Sequence, residues 1–138
     1  MRLLGLDHLV IRCNDLAAMV RFYRDTLGCR VEKDNEELGL IHLRAGSSLI
    51  DLISVDGELG RAGGAGPGAQ ARNVDHFCLR IEPFDEESLR ARFRAQGVEL
   101  SSLHDNYGAE GTGPSLYLVD PEGNSIELKG PSHTPAAR

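Results

Sequence analysis

Hydrophobic and polar residues alternate in two stretches of the chain that repeat each other. Residues 6–12, LDHLVIR, recur as residues 74–80, VDHFCLR, and His76 follows His8 by 68 positions. Side chains point alternately to the two faces of a strand. Each stretch therefore predicts a strand with one apolar face and one face that bears a histidine and an arginine. The recurrence predicts an internal duplication of the fold.

Each of these strands is followed by a segment with the periodicity of an amphipathic helix. In the first copy, apolar residues at spacings of four, three and four form one helix face: Leu16, Val20, Tyr23 and Leu27. Asn14 or Asp15 can cap this helix at its N-terminus. In the second copy Asp85 can cap the helix, and Gly97 is suited to end it.

Short strands are predicted after each helix, separated by turns rich in glycine, proline and asparagine. They cover roughly 29–33, 38–45 and 48–55 in the first copy and roughly 98–102, 114–119 and 124–129 in the second. The order strand-helix-strand-strand-strand thus occurs twice. The predicted fold class is α+β, with two tandem βαβββ modules.

The chain is predicted to form one domain over residues 1–130, with module one at 1–55 and module two at 73–130. Residues 56–72 contain six glycines, a composition typical of a linker. Residues 131–138 are predicted to be a flexible tail.

Composition and charge limit the kinds of molecule that the protein is expected to bind. The 138 residues carry a formal net charge of −6, which argues against nucleic acid or an anionic membrane, since both require clustered Lys and Arg. No stretch approaches the roughly 18 apolar residues of a membrane helix, and no signal peptide is recognisable, so a cytoplasmic protein is predicted. The three cysteines lack C-x-x-C spacing and indicate neither a disulfide framework nor a structural zinc site.

Four side chains with metal-binding chemistry are predicted on the face of the strands that the helices leave uncovered. Alternation places His8 and His76 there, and it turns Asp51 and Glu127 toward the same face from the last strand of each copy. An unpaired carboxylate inside an apolar strand is costly, and a divalent cation would stabilise it. Two imidazoles with one or two carboxylates suit Zn²⁺, Ni²⁺, Mn²⁺ or Fe²⁺. The alternative is that each histidine is hydrogen-bonded near its preceding aspartate.

The sequence to about residue 130 resembles the vicinal oxygen chelate superfamily, which groups glyoxalase I, bleomycin resistance proteins and extradiol dioxygenases. The resemblance is carried by DHLV at 7–10, FYxxxLG at 22–28, DH at 75–76 and YxxDPxGNxxE at 117–127. It is closest to bacterial glyoxalase-domain proteins of unassigned substrate. The resemblance implies modules whose mostly antiparallel sheet curls around a central cavity, and often a homodimer.

The resemblance also implies roles for individual residues. His8, His76 and Glu127 match the metal ligands of the family, and Asp51 matches a fourth ligand that is Glu in glyoxalase I. Asp is one methylene shorter and can reach the metal through water. The metal would be nickel, zinc, manganese, cobalt or iron.

Arginines are expected to recognise a small anionic substrate. Arg12 matches an arginine that contacts a substrate carboxylate in glyoxalase I, and Arg72 matches a second one in some glyoxalases. Arg80 occupies the place of Arg12 in the second copy. The alternative is that Arg12 and Arg80 pair with carboxylates at the cavity rim and that Arg72 belongs to the solvated linker. A loop over 104–111 is expected to close over the site and offer Tyr107 or His104 to the substrate. The alternative is a loop that is merely mobile.

The expected function is a metal-dependent lyase or isomerase of the glyoxalase type, with Glu127 as the base and Asp51 as its complement. One alternative is an extradiol-type Fe²⁺ dioxygenase, in which Tyr117 would be catalytic. Against it, the histidine expected a few residues before Tyr117 is missing, since His104 lies thirteen positions away. A drug-binding protein without chemistry is the second alternative.

Overall fold

The computed structural model describes residues 1–136 and divides into two compact units, Met1–Asn73 and Val74–Arg138. Within this described part, no helix is long and apolar enough to cross a membrane. Each unit has its own sheet, and each sheet combines one parallel strand pair with antiparallel pairs.

The first unit contains a four-stranded sheet in the order β1-β4-β3-β2. Its elements are β1 (His8–Cys13), α1 (Leu16–Arg21), a π-helical turn (Phe22–Thr26), β2 (Arg30–Asn35), a 3-10 turn (Glu36–Leu38), β3 (Leu40–Ala45), β4 (Ser48–Ser54) and α2 (Glu58–Arg61). Strands β1 and β4 run parallel, and β3 pairs antiparallel with β2 and β4.

The first helix begins where the sequence predicts, because the Asp15 carboxylate accepts a hydrogen bond from the Ala18 backbone N–H at 2.9 Å. The segment predicted to be one helix is regular α-helix only to Arg21 and then widens into the π-helical turn. Such a turn shifts the phase of the buried face. Met19 and the predicted Tyr23 are both fully buried, whereas the predicted Leu16, Val20 and Leu27 are only partly buried.

The second unit contains the sheet order β5-β8-β7-β6, with a short ninth strand paired to β7. Its elements are β5 (His76–Arg80), α3 (Glu86–Ala95), β6 (His104–Gly108), β7 (Gly111–Val119), β8 (Ser125–Lys129) and β9 (Thr134–Pro135). Asp85 caps α3 by accepting from the Ser88 N–H at 2.8 Å. Strand β9 lies in the segment predicted to be a tail and pairs with Gly111 and Thr112.

One predicted strand is wrong. Residues 98–102 form no strand, and the strand at this point of the second copy is β6, which begins at His104. The polar run 104–111 satisfies its backbone groups by forming a tight hairpin with β7, which starts at Gly111. The loop predicted there is therefore largely sheet, and the prediction of a twice-repeated βαβββ order is confirmed.

Candidate functional site

In each unit, one histidine and one carboxylate lie on a pair of neighbouring parallel strands, and their relative position is the same in both units. His8 is paired with Leu49 on the neighbouring parallel strand, two positions before Asp51. His76 is paired with Ser125, two positions before Glu127. Both carboxylates are buried at the centres of their strands, as the alternation predicts. In each unit the carboxylate therefore shares a sheet face with the histidine.

Each of these histidines is oriented by the aspartate that precedes it. The Nδ1 atom of His8 lies 2.7 Å from Oδ1 of Asp7, and Nδ1 of His76 lies 2.6 Å from Oδ1 of Asp75. An ionised carboxylate only accepts, so each ring donates through Nδ1, and the neutral form of each ring keeps a lone pair on Nε2. Histidines that bind metals are commonly oriented by a carboxylate in this way.

His76 and Glu127 together have the spacing of two ligands of one ion. Nε2 of His76 lies 3.5 Å from Oε2 of Glu127. Two atoms bonded at about 2.0–2.2 Å to one tetrahedral ion lie about 3.3–3.6 Å apart. The second unit therefore offers a nitrogen and an oxygen that fit a divalent cation.

Three neighbouring side chains stabilise the ionised form of Glu127. Nδ2 of Asn106 donates at 2.9 Å to Oε1, and the hydroxyls of Ser115 and Tyr117 lie beside the same carboxylate. Burial raises the pKa of Glu127, but these three hydrogen-bonding groups and the charge of His76 outweigh it, and the net pKa is lowered. The carboxylate is therefore ionised at neutral pH and able to bind a cation.

Tyr117 packs between two imidazoles. Its ring makes edge contacts with His76 and His104, with centroid distances of 5.7 and 5.6 Å. The hairpin of β6 and β7 brings His104 to this place, opposite Ser115, despite its thirteen-residue separation from Tyr117. Burial raises the pKa of Tyr117, and so does the nearby charge of Glu127. The number of positions between His104 and Tyr117 gives no sign that the two rings are in contact. The antiparallel pairing of β6 with β7 brings them together.

In the first unit the carboxylate of Asp51 has a different partner. Oδ1 of Asp51 lies 2.8 Å from Nδ1 of His42, which sits directly opposite on β3. The corresponding position in the second unit, opposite Glu127, is Tyr117. Sequence reasoning missed His42, although a histidine inside the apolar strand Leu40–Ala45 was a usable signal.

The guanidinium of Arg12 is enclosed by the Gly-rich segment of its own unit. It donates to the carbonyl oxygens of Gly60, Gly64 and Ala65 at 3.0, 2.7 and 3.1 Å. A Cβ atom on Gly63 would lie 2.6 Å from the guanidinium carbon, so only glycine permits this contact. Arg12 is thus engaged with backbone groups and holds the segment that follows β4.

The remaining predicted substrate contacts lie in different environments. Arg80 forms ion pairs with Glu110 at 2.7 Å and with Glu82 at 3.3 Å. Arg72 is exposed in the Gly-rich segment. Tyr107 is 67% exposed and, by strand alternation, points to the face of β6 opposite to that of Asn106. Within the second unit, Tyr107 therefore lies on the opposite face of β6 from the Asn106 side chain that contacts Glu127.

One thiol borders the carboxylate of Glu127. Cys78 is paired with Glu127 across β5 and β8 and is an exposed free cysteine. Burial of the sulfur and the nearby charge of Glu127 raise the pKa of the Cys78 thiol to about 11. The group is therefore a neutral thiol at physiological pH.

The four predicted ligands are thus divided between the units, with His8 and Asp51 in the first and His76 and Glu127 in the second. Over residues 1–136, no three His, Cys, Asp or Glu side chains converge in the arrangement of a metal site. Within the second unit, Nε2 of His76 and Oε2 of Glu127 lie 3.5 Å apart.

Comparison with solved structures supports the fold. An integron cassette protein from the mobile metagenome of V. cholerae is 28% identical with a TM-score of 0.75, and the match covers 96% of this chain and 98% of that one. A lactoylglutathione lyase from Agrobacterium tumefaciens is 24% identical with a TM-score of 0.67, covering 91% and 92%. The fosfomycin resistance protein FosX from Listeria monocytogenes is 17% identical with a TM-score of 0.67, covering 96% and 97%.

No curated protein matches the sequence. The family model described as Glyoxalase/Bleomycin resistance protein/Dioxygenase superfamily matches residues 5–128, which span both units. It therefore includes all four predicted metal ligands. The tandem βαβββ fold and this match agree, and the chain belongs to the Glyoxalase/Bleomycin resistance protein/Dioxygenase superfamily.

Proposed function

We propose that this protein is a metal-dependent lyase or isomerase of the glyoxalase type. Its substrate would be a small anion that binds the metal through two neighbouring oxygens. The observation that carries the proposal is the pair of His76 Nε2 and Glu127 Oε2, 3.5 Å apart on a buried, ionised carboxylate.

The proposed ligands are His8, His76 and Glu127, and Asp51 occupies the fourth position. Nickel, zinc, manganese, cobalt and iron all accept imidazole and carboxylate ligands. A bound divalent ion would act as a Lewis acid and stabilise negative charge developing on the substrate oxygens. The aspartates Asp7 and Asp75 support this role by leaving Nε2 of each histidine free to bind.

Protein side chains would transfer the substrate proton and bind the negative charge of the substrate. Glu127 is proposed to accept a proton from the substrate carbon and to return it to the neighbouring carbon, with Asp51 as its complement. Asn106 and Tyr117 keep the Glu127 carboxylate in one orientation. For recognition of the anion we propose Arg80, with Arg72 and Tyr107 as further contacts. Arg12 would act through the backbone segment that it holds.

Members of this superfamily often form dimers, and we propose a homodimer here as well. Light scattering at two protein concentrations measures this directly. A mass near twice 15.0 kDa at both concentrations supports the dimer. A mass near 15.0 kDa at both would contradict it.

Elemental analysis of protein purified without oxygen or chelator is the first test. We expect about one divalent ion per chain, lost in His76→Ala and retained in His133→Asn. His133 is a suitable control because it also pairs with a carboxylate, Asp105 at 2.8 Å, in a separate ion pair. Absence of metal, even after divalent ions are added back, would contradict the proposal and favour a binding protein.

Proton exchange then tests the reaction. The metal-loaded protein is mixed in D₂O with hemithioacetals of α-ketoaldehydes, and NMR follows loss of the proton next to the carbonyl. We expect exchange and turnover in the parent protein and neither in metal-saturated Glu127→Gln. Full turnover in that variant would exclude Glu127 as the base.

A second candidate function is supported by the rings around Tyr117. His76 and His104 each make an edge contact with the Tyr117 ring, and His104 supplies the imidazole that the sequence pattern lacked. This arrangement favours an extradiol-type Fe²⁺ dioxygenase as the alternative. Stoichiometric iron, with oxygen uptake on catechols that falls in both Tyr117→Phe and His104→Phe, would support this alternative over the lyase.

A further inference from the structure

A buried lysine crosses the sheet of the second unit. Of the 15 basic residues of the chain, 13 are arginine and only two are lysine, Lys33 and Lys129. Lys33 is exposed on β2, whereas Lys129 is only 5% exposed at the end of β8. Burying a charged group is costly unless it is hydrogen-bonded, so the Lys129 ammonium requires acceptors inside the sheet.

The acceptors of Lys129 are two backbone carbonyl groups on the hairpin of β6 and β7. Its Nζ donates to the carbonyl oxygen of Asn106 and, at 3.1 Å, to that of Gly113. Asn106 and Gly113 lie directly opposite each other in the pairing of β6 with β7. Because β7 separates β6 from β8, the lysine side chain joins two strands that are not neighbours.

Small residues leave room for this crossing. Ser115 lies directly opposite Lys129 on β7, and Gly113, two positions earlier, shares the face of Ser115. On β6 the lysine passes Gly108, where a Cβ atom would lie 2.8 Å from Cε of Lys129. That distance is too short for two carbon atoms in van der Waals contact, so glycine at position 108 provides the space for the lysine stem.

The crossing lies beside the contact between Asn106 and Glu127. Glu127 and Lys129 are two positions apart on β8 and share a face, as Asn106 and Gly108 do on β6. Asn106 is therefore joined to β8 twice. Its Nδ2 atom donates to Oε1 of Glu127 at 2.9 Å, and its backbone carbonyl accepts from Lys129. Because both groups belong to one residue, fixing the carbonyl limits the positions that the side-chain amide can take.

We propose that Lys129 is a positioning residue that holds the side-chain amide of Asn106 against the carboxylate of Glu127. It acts through backbone carbonyl groups and is not itself a catalytic residue. The importance of Glu127 in this inference rests on the proposed function, in which that carboxylate binds the metal and accepts the proton. All the contacts that carry the inference lie within the second unit.

The test uses three variants of the full-length, metal-free protein. Lys129→Met removes the ammonium and keeps an apolar stem. Gly108→Ala keeps the lysine, but its Cβ would displace the stem, and Gly108 has no left-handed backbone that would exclude alanine. Asn106→Ala removes the amide itself and identifies its NMR signals. Lys33→Met is the matched control, because it removes the exposed lysine of the chain.

NMR of the Asn106 side-chain amide measures whether this group is held in place. In the parent protein, its two N–H groups face Glu127 and Tyr117 and should exchange slowly with water. We expect Lys129→Met to accelerate this exchange by about 10-fold or more, as loss of a hydrogen bond to a charged group implies. Gly108→Ala should act in the same direction, and Lys33→Met should leave the exchange unchanged.

Backbone amide exchange separates positioning from general loss of structure. The amides of β7 that pair with β8 should stay protected in Lys129→Met, because that ladder does not depend on the lysine side chain. Unchanged Asn106 side-chain exchange in both Lys129→Met and Gly108→Ala would overturn the inference. Equal loss of protection in β7 and in the Asn106 side chain would also overturn it, since the lysine would then be a purely structural residue.

A double variant connects Lys129 with the reaction. In the proton-exchange assay in D₂O, we expect Lys129→Met and Asn106→Ala each to slow turnover, and the double variant to be no slower than Asn106→Ala. Two independent factors that multiply in the double variant would show that Lys129 acts by another route and would overturn the inference. An inactive parent protein would contradict the proposed function, whereas the NMR of the metal-free protein would still decide whether Lys129 holds Asn106.

Discussion

The side-chain amide of Asn106 lies 2.9 Å from the carboxylate of Glu127, although 21 positions separate the two residues in sequence. The same Nδ2 atom lies 2.9 Å from the hydroxyl oxygen of Tyr117. One amide therefore fixes both the carboxylate and the aromatic ring beside it. Glu127 owes part of its lowered pKa to this contact.

Replacing Asn106 by Ala is expected to raise the pKa of Glu127 and to destabilise the fold at neutral pH. A hydrogen bond to a charged group contributes about 1.5–3 kcal/mol. A carboxyl with a lowered folded-state pKa stabilises above its ordinary value of 4.5, and this contribution is lost as pH falls through the folded-state pKa. The loss of stability in Asn106→Ala should therefore be smaller at acid pH than at neutral pH.

Urea unfolding at several pH values and carbon NMR of the Glu127 carboxyl measure both effects. Asn35→Ala is the matched control, since Asn35 caps the short turn before β3 in the first unit. A stability loss in Asn106→Ala that is independent of pH would contradict the assignment.

The pKa of His8 is expected to fall toward 6.5 in Asp7→Asn. The hydrogen bond that His8 donates to Asp7 is the main cause that raises it. In the metal-free protein, this raised pKa stabilises the fold below pH 6.5, and the effect is lost as pH rises through the folded-state value. A ligand histidine must be neutral, so metal binding should strengthen as pH rises through the same value.

Proton NMR of the His8 imidazole tests the change in its pKa. Metal titrations between pH 5 and pH 9 test the pH dependence of metal binding. The variant should bind metal at lower pH than the parent protein, and Asp34→Asn should behave as the parent. An unchanged His8 titration in Asp7→Asn would refute the predicted role of Asp7.

Removal of the Arg12 guanidinium is expected to loosen the Gly-rich segment. Arg12→Ala removes three hydrogen bonds to backbone carbonyls, and local opening should become easier by about 1.5–3 kcal/mol. Gly63→Ala should act similarly, because its Cβ would displace the guanidinium. Hydrogen exchange over residues 58–66 measures the opening. Gly68→Ala is the control, since a Cβ there meets nothing within 4 Å.

Truncating a side chain in the core of the first unit is expected to lower the free energy of unfolding much more than truncating one at the surface. Leu52 is fully buried on β4, and Leu52→Ala should lower the free energy of unfolding by about 2–5 kcal/mol. Val119 is 56% exposed, and Val119→Ala should stay within about 0.5 kcal/mol of the parent. Denaturant unfolding measures both, and equal losses would contradict the described core.

Much of the fold follows from local patterns in the sequence. The repeated DH-containing strands and the caps at Asp15 and Asp85 each depend on nearby residues, and they predicted the element order. Strand β6 escaped prediction because its stability comes from pairing with β7 rather than from its own polar residues. The π-helical turn over Phe22–Thr26 carries no recognisable local pattern.

The site was less predictable because its contacts join distant residues. Alternation placed His76 and Glu127 on one face, and the 3.5 Å between Nε2 of His76 and Oε2 of Glu127 agrees with that placement. His42 and Asn106 were missed, since their roles depend on which strands become neighbours. The carbonyl contacts of Arg12 depend on the path of an irregular segment and follow from no strand or helix pattern.

The Cys78 thiol lies beside Glu127, and its raised pKa makes it a poor nucleophile at neutral pH. With a pKa of about 11, only about one molecule in 10,000 carries a thiolate at pH 7. The thiolate is the form that attacks oxidants and alkylating reagents. A sulfur atom next to a predicted metal ligand would ordinarily make a site sensitive to air. Because the thiolate is a minor form at neutral pH, we expect Cys78 to react slowly with alkylating reagents.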